Sequence, residues 1–232
     1  MEIIAEIGQN HNGDMGIALE LIHAAKENGA DAAKFQLYDA QSLFPKENNE
    51  WYEYNCRTEL HRGQVQRLAE ECNKIGIEFL ASVFDTERIS WLEEIGVKRY
   101  KIASRSILDT KLIRAVCRTG KPIIISLGMW DKESFPEMDG AASVHFLYCI
   151  AKYPVPLEEV NLSRVNFQRY AGFSDHTVGL TASMAALSRG AGIIEKHFTL
   201  DKNMYGPDHV SSMTPSELKQ LDQFRRELTL CL

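Results

Sequence analysis

The chain has few cysteines, and none are closely spaced. Its 232 residues include five cysteines, an odd number, and no C-x-x-C pair is present. A disulfide framework or a thiolate zinc site needs paired or clustered cysteines, so both are disfavoured. We expect reduced thiols, most of them structural.

Long apolar runs are also missing. No stretch of eighteen apolar residues occurs, and the N-terminus carries an acid, Glu2, before it leads into a strand-like segment. These features argue against a membrane span and against a cleaved signal peptide. We therefore expect a cytoplasmic protein that does not act at a membrane.

Positive charge is in deficit. The 26 lysines and arginines are outnumbered by 32 aspartates and glutamates, which gives a formal net charge of -6. This balance disfavours nonspecific binding to nucleic acid, although one cleft can still focus positive potential in an acidic protein. The position of individual lysines therefore matters more than the total.

A regular alternation of short apolar runs and amphipathic segments fills the chain, and each pair takes roughly 25 to 30 residues. Glycines stand where helix C-caps are expected, just before the next apolar run. The predicted strands cover residues 3–7, 32–37, 77–81, 99–102, 123–126, 144–148, 171–173 and 192–196. The predicted helices cover residues 15–28, 62–75, 87–95, 108–118, 180–189 and 215–228.

Eight such units predict a (β/α)8 TIM barrel, with residues 1–232 as one domain. A doubly wound open sheet is the alternative, but no G-x-G-x-x-G follows the first strand. Residues 128–143 leave little room for a helix and contain Phe135-Pro136 and Asp139-Gly140, so we expect the fifth helix to be shortened or missing. The connection 38–59 is the candidate lid over the barrel mouth.

Polar residues follow the predicted strands at their carboxyl ends, where barrel enzymes place their chemistry. The densest group lies between Gly172 and Ser212 and contains His176, His197 and His209. Histidines, acids and a lysine so close together predict a metal-assisted active site.

Two lysines fall inside predicted strands or at their ends. Lys34 shares one face of its strand with Gln36, and Glu195 likewise shares a face with His197, because side chains alternate along a strand. A lysine inside a barrel is costly unless it meets an anion or an acid. Lys34 and Lys101, with serines nearby, therefore predict a pocket for a phosphate or a carboxylate.

Short motifs occur in order through nearly the whole chain. They are AEIGxNHNGD from Ala5, KFQ from Lys34, KIAS from Lys101, KPIIISxGM from Lys121, YPxP from Tyr153 with Asn161-Leu162, SDHT from Ser174, EKHFT from Glu195 and GPDH from Gly206. In this order they resemble the sialic acid synthase family, which includes N-acetylneuraminate, legionaminate and pseudaminate synthases. Each motif alone is weak evidence, but the ordered set is specific.

The resemblance implies a transferase that condenses phosphoenolpyruvate with an open-chain sugar aldehyde, such as N-acetylmannosamine, to give a nonulosonic acid and phosphate. It also implies a divalent cation, most often Mn²⁺ with Mg²⁺ or Co²⁺ as alternatives, held by His176 and His197. Two neutral imidazoles leave coordination positions open for a Lewis acid that polarises a carbonyl. Asp208 is expected to orient a metal-bound water.

The same resemblance implies which residues bind phosphoenolpyruvate. Fixed cations and hydrogen-bond donors suit its phosphate and carboxylate. The expected residues are Lys34, Gln36, Ser82, Lys101, Ser104, Ser126, Asn161 and Ser174.

Glu6, at the end of the first strand, is expected to stabilise positive charge at C2 of phosphoenolpyruvate or to manage the proton of the attacking water. The structural alternative is an ion pair between Glu6 and Lys34 or Lys101. One carboxylate can form such an ion pair and also take part in catalysis. For His11 and His209, a hydrogen bond within a loop and a contact with substrate both remain open.

The chain departs from the family pattern after KIAS, where a second glutamate is usual. Here Arg105-Ser106 follows, and no acid occurs before Asp109. Arg105 either holds an acidic or phosphorylated substrate or forms a surface ion pair. Ser82 replaces a threonine but keeps the hydroxyl.

The sequence given stops at Leu232, whereas typical family members continue into an antifreeze-like domain. That domain reaches across a dimer and supplies an arginine to the sugar. We expect a homodimer, or a separate chain that supplies this part.

Two other functions remain open beside the synthase. One is a metal-dependent aldolase or sugar isomerase, which would not consume phosphoenolpyruvate. The other is a barrel without activity that binds phosphoenolpyruvate or a partner chain. Retention of Lys34, Lys101, His176 and His197 argues against the last, since buried charges beside metal ligands are costly to keep without a use.

Overall fold

The computed structural model describes residues 1–232 and folds them around a closed barrel of eight parallel strands. Each strand pairs with the next in sequence, and the last strand closes onto the first. The strands are β1 Glu2–Gly8, β2 Ala32–Leu37, β3 Glu78–Val83, β4 Tyr100–Ile102, β5 Ile123–Ser126, β6 Val144–Cys149, β7 Gly172–Asp175 and β8 Ile193–His197. The predicted (β/α)8 barrel is confirmed, and the open-sheet alternative is wrong.

Eight α-helices surround the barrel, seven between strands and one after the last strand. They are α1 Met15–Glu27, α2 Ala40–Leu43, α3 Tyr52–Thr58, α4 Arg62–Ile75, α5 Thr86–Glu94, α6 Thr110–Cys117, α7 Thr181–Ser188 and α8 Pro215–Cys231. All but α2 and α3 match predicted helices within a few residues. No helix is both long and apolar enough to span a bilayer.

Local sequence explains where these helices begin and end. Asp14 caps α1 by accepting hydrogen bonds from the amides of Gly16 and Ile17, which satisfies two of the donors that a helix start leaves free. The helix α4 ends at Gly76, whose φ of 72° is strained for residues with a side chain.

No helix lies between β5 and β6, which confirms that the fifth helix is missing. Phe135 instead packs against Phe146 and Tyr170, with ring centroids 4.6 and 4.9 Å away. The connection after β6 also lacks an α-helix, in agreement with the predicted helices, none of which falls between residues 148 and 171, and it holds only short 3₁₀ turns. Pro154 and Pro156 have no amide hydrogen to donate there, and this opposes a regular helix.

The inside of the barrel is layered. An apolar layer near its amino end consists of Ile4, Ala32, Leu80, Ile124, Leu147 and Ile193. Two residues further along the same strands stand Glu6, Lys34, Ser82, Ser126, Cys149 and Glu195. Because every second side chain points inward, a polar layer lies directly above an apolar floor. The larger core lies between the strands and the surrounding helices.

The candidate lid, residues 38–59, contains α2 and α3 and is held by buried hydrogen bonds. The amide of Gln9 lies 2.6 Å from the Tyr38 hydroxyl and 2.9 Å from Oδ1 of Asn55. The hydroxyl of Tyr54 donates to the Gln9 carbonyl at 2.9 Å. Phe44 alone of this segment lines the cavity at the barrel mouth, so the segment forms one side of that mouth.

Candidate active site

A cavity of about 430 Å³ opens at the carboxyl ends of the strands, above the polar layer. Its position agrees with the prediction from strand ends. The predicted site residues that line it are Glu6, Lys34, Gln36, Ser82, Lys101, Ser104, Ser126, Ser174, His176, His197 and Asp208.

Asn161 is the predicted site residue that does not line the cavity. Its side chain is exposed, and its amide donates to the carbonyl of Glu159 at 2.9 Å. It begins a 3₁₀ turn with a φ of 48°. The path of the loop after β6 thus keeps Asn161 out of the cavity lining, and its binding of phosphoenolpyruvate stays a prediction.

Two lysines and two carboxylates form an alternating group in the polar layer. Nζ of Lys34 lies 2.7 Å from Oε2 of Glu6 and 3.4 Å from Oε2 of Glu195. Nζ of Lys101 lies 3.2 Å from Oε1 of Glu195. We call Glu6, Lys34, Lys101 and Glu195 the charge tetrad. Its formal charges cancel.

Burial and neighbouring charges shift the pKa values of Glu195, Lys34 and Lys101 away from those of free side chains. Burial alone would raise the pKa of Glu195, but Lys101 and Lys34 lower it to about 2. Burial would lower the pKa of Lys34, yet Glu195 and Glu6 raise it overall. For Lys101, burial dominates and lowers the pKa, with Glu195 offsetting part of the effect.

Glu6 forms an ion pair with Lys34, which was one of the alternatives that the sequence analysis gave for it. Its second oxygen, Oε1, accepts a hydrogen bond from Nε2 of Gln36 at 2.8 Å. The strand register shifts between Glu6 and Gly8, and Gly8 adopts a φ of 54°. A Cβ at Gly8 would lie 3.2 Å from Oε1 of Glu6 and 3.1 Å from Nε2 of Gln36. Glycine at this position therefore leaves room for the Glu6–Gln36 contact.

His176 and His197 project from the ends of neighbouring strands, with ring centroids 5.9 Å apart. Nδ1 of His176 lies 2.8 Å from the Ile150 carbonyl. A carbonyl can only accept, so Nδ1 donates the hydrogen in this contact. The Tyr153 hydroxyl lies 3.0 Å from Nε2 of His176.

His197 has a buried nitrogen without a partner. Its Nδ1 makes no hydrogen bond and lies 4.0 Å from Oδ2 of Asp208. An orphaned buried nitrogen is costly and requires an explanation. No group of three or more histidine, cysteine, aspartate or glutamate side chains is arranged to ligate a metal. The unpaired nitrogen of His197 is compatible with the predicted cation site, and metal binding by His176 and His197 stays a prediction.

His11 and His209 make structural contacts in loops and do not line the cavity. Nδ1 of His209 lies 2.7 Å from the Thr199 hydroxyl, and Nδ1 of His11 accepts from the Gly13 amide at 3.1 Å. Both side chains are buried. The sequence left open a loop hydrogen bond or a contact with substrate for each histidine, and both form the loop hydrogen bond in the structure.

Comparison with known proteins agrees with this geometry. The model of the NeuB family matches residues 21–232. The chain belongs to the NeuB family.

Several relatives carry the name of a synthase. The chain is 39% identical over 253 residues to the N,N'-diacetyllegionaminic acid synthase of Legionella pneumophila. This alignment covers 97% of the chain and 71% of the relative. The chain is also 33% identical over 242 residues to human N-acetylneuraminate-9-phosphate synthase. That alignment covers 94% of the chain and 67% of the relative.

Among solved structures, the N-acetylneuraminic acid synthetase of Leptospira borgpetersenii in complex with citrate superposes with a TM-score of 0.90. It is 33% identical, and the alignment covers 99% of this chain and 84% of that one. The NeuB-family fold thus extends over the whole barrel described above.

Arg105 lines the cavity of this NeuB-family barrel. Its guanidinium carbon lies 5.0 Å from the centre of the Phe44 ring, and it takes part in none of the ion pairs within 4.0 Å in the structure. Of the two alternatives for Arg105, the surface ion pair is therefore not formed.

Other residues of the site, among them Glu195, Tyr153 and Cys149, were not predicted. Glu195 holds both lysines, and its spacing of two from His197 was the available signal. Tyr153 stacks on His176 with centroids 4.0 Å apart. Cys149, expected to be structural, lines the cavity with Sγ 3.5 Å from the Ser104 hydroxyl. Its position at the carboxyl end of β6 was the available signal.

Proposed function

We propose that this NeuB-family barrel condenses phosphoenolpyruvate with the open-chain aldehyde of a sugar such as N-acetylmannosamine or a related amino sugar. The products would be a nonulosonic acid and phosphate. The observation that carries this proposal is the placement of two buried lysines and two neighbouring histidines around one open cavity. The names of the relatives point to the same chemistry.

Phosphoenolpyruvate would bind at the bottom of the cavity, in contact with the polar layer. Lys34 and Lys101 offer ammonium donors, and Ser82, Ser126 and Ser174 offer hydroxyls beside them. The Ser126 hydroxyl is buried and makes no hydrogen bond within the protein. Such an unsatisfied group is available to a substrate oxygen, and its pairing would recover the cost of burial.

His176 and His197 would hold a divalent cation, for which Mn²⁺ is our expectation and Mg²⁺ or Co²⁺ are alternatives. A cation bound there supplies Lewis acidity that polarises the aldehyde carbonyl. Asp208, 4.0 Å from His197, would orient a water beside it.

The bond changes follow from the two substrates. C3 of phosphoenolpyruvate attacks the aldehyde carbon, which forms the C–C bond and leaves positive charge at C2. Glu6 would stabilise that charge and accept a proton from the water that adds at C2. Phosphate then leaves from C2, and the aldehyde oxygen takes up a proton to become a hydroxyl. Lys34, 2.7 Å from Glu6, keeps the carboxylate in place.

A phosphate-release assay tests this function. The protein is incubated with phosphoenolpyruvate, Mn²⁺ and a panel of aldehydes that includes N-acetylmannosamine, and the product mass is determined. The expected product has the combined mass of phosphoenolpyruvate, aldehyde and water less phosphoric acid. Reactions without aldehyde measure background hydrolysis.

Other results would reject the synthase. Tight binding of phosphoenolpyruvate without turnover of any aldehyde would indicate a binding protein. Cleavage or isomerisation of sugars without phosphate release would indicate an aldolase or an isomerase.

A further inference from the structure

The cations that line the cavity differ in whether a carboxylate already neutralises them. Lys34 and Lys101 belong to the charge tetrad. Lys196 lies 3.1 Å from Oδ2 of Asp175 and donates to the Thr177 carbonyl at 2.6 Å. Arg105 is the remaining lysine or arginine of the lining, and it has no carboxylate partner.

Arg105 also has unused donors. It lies in the 3₁₀ turn Ser104–Ser106, just after the strand that carries Lys101. Its one hydrogen bond is a long contact of 3.5 Å from a terminal nitrogen to the Leu43 carbonyl. A guanidinium has five N–H donors in a planar fork. Packing against Phe44 helps to hold this fork beside the cavity.

Charge balance then indicates what Arg105 can bind. The tetrad carries two positive and two negative formal charges, so it offers little net attraction to an anion. A phosphate monoester brings about two negative charges near neutral pH. A planar guanidinium matches two phosphate oxygens through parallel hydrogen bonds.

We propose that Arg105 binds the phosphate group of a substrate in this cavity. The proposal rests on the function proposed above and adds to it a phosphate-binding residue outside the tetrad. The phosphate belongs either to phosphoenolpyruvate or to a phosphorylated acceptor sugar. The charge balance favours phosphoenolpyruvate. This anion binds next to the tetrad, whose formal charges cancel, so an additional cation is needed to attract it.

Binding measurements on the full chain test this proposal without requiring turnover. Isothermal calorimetry compares the wild type with Arg105→Gln and Arg105→Lys, using phosphoenolpyruvate, N-acetylmannosamine 6-phosphate and N-acetylmannosamine as ligands. Arg67→Gln is the matched control, since Arg67 is exposed on α4, away from the cavity.

The expected result is a weakening of phosphoenolpyruvate binding by on the order of 10- to 100-fold in Arg105→Gln. Arg105→Lys should lose less, because the charge remains, and Arg67→Gln should match the wild type. If only the sugar phosphate binds more weakly, the acceptor is the source of the phosphate. N-acetylmannosamine should bind equally to all variants.

Two results would overturn the assignment. One is wild-type affinity of Arg105→Gln for both phosphorylated ligands, and the other is failure of the wild type to bind either of them. Absence of turnover in a protein whose Arg105→Gln variant has lost phosphate binding would instead reject only the synthase function.

Discussion

Nζ of Lys101 lies 3.2 Å from Oε1 of Glu195, and both side chains are almost fully buried inside the barrel. The other oxygen of the same carboxylate lies 3.4 Å from Nζ of Lys34. Glu195 therefore compensates both lysines at once. Removing one partner of a buried ion pair usually costs more than the pair contributes, because a charge is left without compensation.

Glu195→Gln should destabilise the protein by about 3 kcal/mol near neutral pH, because it leaves ammonium groups buried without their shared carboxylate. The pKa of Glu195 is lowered from 4.5 to about 2 in the fold. Its stabilisation is thus present above pH 4.5 and is lost as the pH falls towards 2, since the unfolded chain binds the proton first. Urea denaturation from pH 6 downwards measures this.

The comparison is between the wild type and the variant at each pH. Their difference in unfolding free energy should shrink as the pH falls below 4.5. Glu158→Gln, at an exposed site in the loop after β6, serves as control and should follow the wild type. A difference that stays constant across this range would contradict the role given to Glu195.

His197→Ala should weaken Mn²⁺ binding by at least about tenfold, because it removes one of two imidazoles whose ring centroids lie 5.9 Å apart at the ends of neighbouring strands. Electron paramagnetic resonance of free Mn²⁺ measures the binding directly. His23→Ala is the control, since His23 lies on α1 and pairs with Glu71 outside the cavity. Wild-type affinity for Mn²⁺ in His197→Ala would remove the metal assignment.

Lys101→Met should weaken phosphoenolpyruvate binding by on the order of tenfold or more, since it deletes a buried ammonium donor. Binding of Mn²⁺ should be unchanged, because Lys101 makes no hydrogen bond or ion pair with either histidine. Calorimetry with each ligand separates the two effects. Lys219→Met, on an exposed position of α8, is the control. Equal loss of both ligands would indicate general disruption instead.

Gly8→Ala should destabilise the protein by about 1 to 2 kcal/mol, because its φ of 54° is unfavourable for alanine. The added methyl group would also press on the contact between Glu6 and Gln36. Thermal unfolding and the phosphate-release rate measure the two effects. Gly63→Ala, in α4 with no atom within 4 Å of the new Cβ, should be neutral or slightly stabilising. Equal behaviour of both variants would show that Gly8 has no special role.

Local pattern was sufficient to predict the architecture of this protein. Apolar runs separated by amphipathic helices predicted all eight strands and six of the eight helices, and the crowded stretch around Phe135-Pro136 correctly predicted the missing fifth helix. These features depend on residues close together in the chain. Alternation of side chains along strands also placed Lys34 with Gln36, and Glu195 with His197, on one face of their strands.

The sequence by itself determined the fold and the side chains that stand at the strand ends, because strand periodicity and helix capping are short-range effects. Only the tertiary structure decided the contacts between strands. It paired Lys101 with Glu195, left Arg105 without a carboxylate and placed Asn161 outside the cavity. These outcomes depend on the register of the closed barrel and on loop paths, which join residues far apart in the chain.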